Sequence, residues 1–194
     1  MIYIIRHGQT VMNREKALQG RSNFPLNEAG LSEAAAVGNW FRASGIRFGA
    51  VYSSPLTRAM QTAELAAGND TPVITKDALI EMDYGPYEGI SLTSPPPEII
   101  TFFSDFVHNP APDGMEQLSD VVARAGRFME EIRDTDTNEN ILISTHAILM
   151  KGILEYLTPE SGGAYWSKYI GNCAVYVTEL TKKGYTVPVE LKTE

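Results

Sequence analysis

A single cysteine, Cys173, stands in a chain of 194 residues. No internal disulfide can form, and with no histidine nearby in sequence to activate it the thiol reads as a small core residue. Long apolar runs are missing: none approaches the ~20 residues that span a bilayer, and no basic segment leads into an apolar leader. A cytoplasmic location without membrane contact is the expectation. Positive charge is scarce, with 16 lysines and arginines against 24 acidic residues, a formal net charge of −8 and a pI near 4.9. That excludes a general nucleic-acid binder, which needs a basic surface to release counterions. Any phosphate binding must come from a local arginine cluster. The three histidines, His7, His108 and His146, lack the paired spacing of metal motifs, so no metal site is expected. Walker-type GxxxxGK[ST], GxSxG and dinucleotide glycine patterns are absent, and no cofactor is expected. Asn69-Asp70-Thr71 matches a glycosylation sequon and reads here as a turn after a helix.

What is present is an alternation of strands and helices. At 43% hydrophobic, the chain supports one domain over residues 1–194, large enough to bury about 70% of its unfolded surface. Apolar, β-branched runs recur at Ile2 to Ile5, Ala50 to Ser53, Asn140 to Ser144, Cys173 to Leu180 and Tyr185 to Leu191, with helical patterns between most of them. Asn27 is placed to cap a helix from Glu28 to Ser44, and Ser54-Pro55 gives an N-cap and a first-turn proline for a helix ending before Gly68. Glu116 to Arg133 carries Leu118, Val121, Val122, Ala125, Phe128, Met129 and Ile132 on one face. A last helix spans Ala147 to Leu157, stopped near Pro159. Lys182-Lys183-Gly184 predicts an antiparallel hairpin at a sheet edge.

Between about residues 90 and 117 the pattern breaks around Pro95-Pro96-Pro97, Pro110 and Pro112, and the stretch reads as an insertion or lid over the sheet. Its Phe102, Phe103 and Phe106 fall at helical spacing, which favours a buried helix face over a ligand wall.

In an open, mostly parallel sheet the ligand crevice lies beyond the carboxyl ends of the strands. Arg6-His7-Gly8 follows the first strand, Ser53 to Arg58 the second, and His146 follows Ile141-Leu142-Ile143. One sheet edge thus gathers two arginines and two histidines. Such a cluster suits phosphoryl transfer, where charge spreads over three oxygens and the protein positions and stabilises it. Arginine's fork makes paired hydrogen bonds to those oxygens that lysine cannot reproduce.

The stretch Ile4-Ile5-Arg6-His7-Gly8-Gln9-Thr10-Val11-Met12-Asn13, followed by Ser53-Ser54-Pro55-Leu56-Thr57-Arg58-Ala59-Met60-Gln61-Thr62-Ala63, Glu81 and His146 in that order, resembles the histidine phosphatase superfamily, phosphoglycerate mutase-like branch. The resemblance covers nearly the whole chain. It implies a three-layer α/β/α fold with a mostly parallel central sheet and an antiparallel edge. It implies that His7 is the nucleophile, that Arg6 and Arg58 clamp the phosphoryl oxygens, that His146 donates to them, and that Gly8, Asn13 and Ala147 line the phosphate pocket. Glu81, within Leu79 to Gly89, matches the family's proton donor, and the substrate's negative charge favours its protonated form. Asp83 is a weaker alternative; Glu88 reads as structural, a cap or strand-end partner.

Two departures bear on substrate preference. Ala147 follows the second histidine where the family commonly has glycine, and Gly114-Met115-Glu116-Gln117 replaces a family loop of two glycines, glutamate and serine. Glu116 either approaches the site or simply opens the long helix. Family mutases carry a longer insertion with extra basic residues, whereas no lysine or arginine lies between Gly89 and Gln117 here. The expectation is a metal-independent phosphatase acting on a small phosphorylated metabolite, as monomer or homodimer. Mutase-type transfer and a catalytically weak phosphate-ligand binder are the alternatives.

Overall fold

The computed structural model describes residues 1–68, 70–134 and 139–193; Asn69, which carries the sequon, lies outside them. The chain runs β1 (Ile2–Arg6), α1 (Val11–Arg14), α2 (Glu28–Ala43), β2 (Phe48–Ser53), α3 (Thr57–Ala67), β3 (Val73–Thr75), α4 (Pro97–Ser104), α5 (Leu118–Glu131), β4 (Asn140–Thr145), α6 (Ala147–Leu157), β5 (Val175–Thr178), β6 (Leu180–Thr181), β7 (Gly184–Tyr185) and β8 (Val189–Leu191). The main sheet has the order β3-β2-β4-β1-β5-β8. Its first four strands are parallel, while β5 pairs antiparallel with β1 and β8 antiparallel with β5.

Strand alternation sorts the core into two faces. Ile2, Ile4, Ala50, Tyr52, Ile141 and Ile143 pack with α5 and α6, whereas Tyr3, Ile5, Val51 and Leu142 pack with α2 and α3. The result is the expected three-layer arrangement. Asn27 caps α2, its Oδ1 accepting from Gly30 N at 2.9 Å, and every apolar residue predicted for the long helix lies in or against the first core.

Several boundaries differ. The third helix starts at Thr57, with Leu56 rather than Ser54 at its cap position; the Ser54 hydroxyl accepts from Leu56 N at 3.3 Å and also meets His146 Nε2 at 2.8 Å. The long helix starts at Leu118, since Glu116 is held by Arg124 outside it. Cys173 takes φ +54 and keeps the chain out of the sheet until Val175. Lys182-Lys183 does turn a hairpin, but that hairpin is the separate β6–β7 ribbon. The Tyr185 to Leu191 run is split by Pro188, which has no N–H to give a ladder. The short edge strand β3 was not predicted; its side chains are largely exposed and carry no alternating pattern.

Within residues 90–117, α4 places Ile99 and Phe102 in the first core, with Phe103 and Phe106 packed against it. Phe102 is therefore a core residue, the plainer of the two readings. No helix among the described residues is long and apolar enough to cross a membrane.

Candidate active site

β1, β2 and β4 deliver Arg6, Ser53-Ser54 and Thr145-His146 to one edge of the sheet. The backbone after β1 runs against the first turn of α2 so closely that a Cβ on Gly8 would lie 2.5 Å from Gly30 O, which is why glycine stands there. Gly8 N donates to Thr62 Oγ1 at 3.1 Å, tying this loop to α3.

His7 is buried, and its Nδ1 lies 2.7 Å from Gly8 O. A carbonyl only accepts, so in the neutral ring Nδ1 carries the hydrogen and Nε2 presents its lone pair. Arg58 Nε donates to that Nε2 at 3.2 Å. Burial, reinforced by the positive charges of Arg58 and Arg6, holds His7 well below the usual imidazole range. Its ring stays uncharged at neutral pH, with the Nε2 lone pair available.

His146 faces it, with ring centroids 5.1 Å apart. Its Nε2 lies 2.8 Å from Ser54 Oγ, while its Nδ1, buried, has no hydrogen-bond partner among the described residues. Burial, then Arg58, His7 and Arg6, push His146 well below the usual range as well. Its ring therefore stays uncharged, without the positive charge that protonation would give it. Arg6 Nε and Gln19 Nε2 are likewise buried without partners among the described residues. The unpaired nitrogens of Arg6 and His146 thus lie on residues of one site, the arrangement an incoming acceptor-rich group would satisfy.

The arginines are held by main-chain carbonyls. Arg6 Nη1 donates to Ile170 O at 2.5 Å, and fully buried Arg58 donates to Ser22 O at 2.7 Å and Gly20 O at 2.6 Å. Burial lowers the Arg58 guanidinium, with Glu81 and Glu88 opposing that shift. The acids are held by main-chain N–H groups. Glu81, 3% exposed, accepts from Met82 N at 2.9 Å and Leu149 N at 3.0 Å through Oε1, and from Ile148 N at 3.1 Å through Oε2. It thereby caps the amino end of α6, directly after His146 and Ala147. Glu88 accepts from Gly20 N, Arg21 N and Ser22 N and from the Ser22 hydroxyl. Its backbone N–H caps the carboxyl end of the short 3-10 turn Gly85–Tyr87 by donating to Gly85 O, and its carboxylate anchors the loop whose carbonyls grip Arg58.

Asn13 completes the floor: its Oδ1 accepts from Thr10 N at 3.1 Å and from Asn172 Nδ2 at 3.3 Å, and Asn172 also donates to His7 O at 3.0 Å. The structure so gathers Arg6, His7, Gly8, Asn13, Arg58, Glu81, His146 and Ala147 in one region. Other residues lie outside it. Glu116 makes paired bonds to Arg124 at 2.7 and 3.0 Å and accepts from Asp83 N. Asp83 pairs with Arg21 at 3.2 Å. Gln117 bonds both N and O of Ala111, closing its own loop. His108 sits exposed on Asp105. Ser54 and Asn172 were missed as site residues, because each reaches the site through contacts distant in sequence.

Comparison with known proteins matches these features to one family. The model of the histidine phosphatase superfamily (branch 1) matches residues 2–190. A 2,3-bisphosphoglycerate-dependent phosphoglycerate mutase from Methylobacterium sp. is 32% identical over 176 residues, covering 83% of each chain. Phosphoserine phosphatase 1 from Hydrogenobacter thermophilus is 26% identical, covering 94% of this chain and 87% of its own. In fold, the chain is similar to a phosphoserine phosphatase variant from Entamoeba histolytica in complex with phosphoserine, with TM-score 0.85, 21% identity and coverage of 100% and 97%. With its model matched from the first strand to the last, the chain belongs to the histidine phosphatase superfamily, branch 1.

Proposed function

We propose that this protein is a phosphatase that hydrolyses a small phosphate monoester through a phosphohistidine on His7, without a metal ion. The observation that carries this reading is the His7 ring. Nδ1–H is spent on Gly8 O, leaving Nε2 as a neutral nucleophile flanked by Arg58 and Arg6. In the first step the Nε2 lone pair attacks phosphorus and the ester P–O bond breaks. The leaving oxygen takes a proton from Glu81, whose Oε2 accepts only one backbone bond and has room to hold it. In the second step Glu81 takes a proton from water, the water oxygen attacks phosphorus, and the P–N bond breaks to release phosphate and neutral His7. Arg6, Arg58 and the unpaired Nδ1 of His146 stabilise the three phosphoryl oxygens throughout.

Phosphate release from an aryl phosphate in excess chelator tests this reading, with His7→Ala as control and acid-labile phosphate on His7 as the trapped intermediate. Turnover abolished by chelation and restored by a divalent metal, or turnover surviving His7→Ala, overturns it. The 32% identical relative named as a mutase favours a second reading, phosphoryl transfer between hydroxyls of phosphoglycerate. Interconversion of 2- and 3-phosphoglycerate primed by the bisphosphate, faster than phosphate release, would establish it. Binding of phosphorylated ligands with no turnover of any kind would make the protein a silent binder.

A further inference from the structure

The backbone on either side of Glu81 is gripped at five points by residues from elsewhere in the chain. Arg124, on α5, donates through Nη1 to Ala78 O at 2.9 Å and to Ile80 O at 2.5 Å. Between them Thr145, the residue before His146, donates through Oγ1 to Leu79 O at 2.9 Å. On the far side of Glu81, Asp83 N donates to Glu116 Oε2 at 3.1 Å, and Asp83 O accepts from Glu116 N at 2.8 Å.

Glu116 and Arg124 then close on each other. Arg124 Nε donates to Glu116 Oε1 at 2.7 Å and Nη2 to Oε2 at 3.0 Å, with each side chain 12% exposed. Fork against carboxylate fixes the two in one geometry. One ion pair thereby ties Ala78, Ile80 and Asp83 into a single frame, and Glu81 lies within it. Stability alone does not call for this arrangement, since a buried ion pair gains little over apolar side chains of the same volume. Apolar side chains, however, would leave the Ala78 and Ile80 carbonyls and the Asp83 N–H without those partners and the path of the segment unset. A reacting carboxyl group must be held to within about 0.5 Å of its working geometry by the groups behind it. The carboxylate itself is met by Ile148 N and Leu149 N, which lie too near the start of α6 to have an intrahelical acceptor.

We propose that the Glu116–Arg124 pair positions Glu81 for proton transfer to the leaving oxygen. Both residues act through the backbone that carries the acid, outside the phosphate site. This rests on the acid role given to Glu81 above and adds the residues on which that role depends.

The test sets Arg124→Met and Glu116→Gln against two esters of similar bulk: 4-nitrophenyl phosphate, whose leaving oxygen needs little protonation, and benzyl phosphate, whose leaving oxygen needs it. In each variant kcat/KM for benzyl phosphate should fall by about 10–100-fold, the scale of a misplaced acid, and that for 4-nitrophenyl phosphate by no more than about threefold. Added to Glu81→Gln, either substitution should cost almost nothing more on benzyl phosphate. An equal loss on both esters, or full multiplication with Glu81→Gln, overturns the proposal.

Amide hydrogen exchange reads the placement without turnover. In both variants the Ile148 and Leu149 amides should exchange about tenfold faster relative to those of β1. Acceleration shared equally with β1, or none, overturns the proposal. If the wild-type protein releases no phosphate from either ester, the phosphatase reading fails separately; if Glu81→Gln slows both esters equally, the acid role does. In either case the exchange of these two amides decides whether the pair holds Glu81 in place.

Discussion

Glu88→Gln isolates how the Arg58 guanidinium is held in place. The Glu88 carboxylate accepts from Gly20 N at 2.9 Å, Arg21 N at 3.2 Å, Ser22 N at 3.3 Å and Ser22 Oγ at 2.5 Å. The carbonyls of Gly20 and Ser22 in turn fix the guanidinium of Arg58. An amide keeps only one acceptor. Its least costly orientation leaves the oxygen at Oε1 and turns NH2 toward Arg21 N, donor against donor. Hydrogen bonds to a charged acceptor contribute about 1.5–3 kcal/mol each against about 0.5–1.5 for neutral ones. With the half-buried site discounted for solvent, the substitution should cost about 2–3 kcal/mol. For a chain of this size that lowers the melting temperature by roughly 4–12 °C.

Activity should fall further than unfolding explains, because the loop that relaxes is the one holding Arg58. At a temperature well below melting, kcat/KM on an aryl phosphate should drop by about tenfold, and Arg58→Ala alone by about 10²–10³, the range for losing a charge-stabilising donor. The decisive assay is the double variant. If Glu88 acts through Arg58, adding Glu88→Gln to Arg58→Ala costs almost nothing more, so the two effects fail to multiply. Full multiplication of the two losses would refute a positioning role and leave Glu88 as a stability residue only.

Four further outcomes follow from the same geometry. Folding holds His7 and His146 below the usual imidazole value of 6.5, so the unfolded chain binds protons the folded one refuses; their contribution to stability is complete above about pH 6.5 and lost as pH falls below it, and a melting temperature that stays flat from pH 8 to 5 would contradict this. The same depression places the acid limb of kcat/KM below 6.5, and a limb at or above that value would remove the neutral-nucleophile argument. Glu81→Gln should slow alkyl phosphates far more than aryl phosphates, whose leaving groups need little protonation; an equal loss on both would take Glu81 out of the acid role. Gly8→Ala would place a methyl 2.5 Å from Gly30 O, backbone against backbone, and should abolish soluble expression or lower the melting temperature strongly; near-wild-type melting would show that α2 is freer to shift than its packing implies.

The elements that could be read from sequence are those whose reasons are local. Asn27 bonds the backbone three residues on, and the α5 stripe repeats at three and four. Arg6-His7 could be placed because a buried parallel strand must end at the ligand edge. What escaped was decided across the chain. The Ser54 hydroxyl meets His146, 92 residues away, and the role of Glu88 depends on a loop 66 to 68 residues before it. Asn172 and the carbonyls of Trp166 and Ile170 belong to a stretch with no periodic pattern at all, yet they hold His7, Lys151 and Arg6.

How a chain of net charge −8 presents a positive site follows from who solvates whom. Arg21 and Arg124, at the periphery, pair with Asp83 and Glu116, and their charges are cancelled where they stand. Inside, the partners are exchanged for backbone: Arg6, Arg58 and Lys151 take carbonyls, while Glu81 and Glu88 take N–H groups. A carbonyl satisfies a guanidinium's donors without neutralising its charge, so among the described residues only the more distant charges of Glu81 and Glu88 stand against these three cations. A carboxylate in place of one of those carbonyls would cancel the charge of the cation it met. On the phosphatase reading proposed above, selectivity for an anionic ester resides in the course of the main chain around the cations as much as in the cations themselves, and substitutions that move Gly20, Ser22, Trp166 or Ile170 should weaken binding without touching a charged residue.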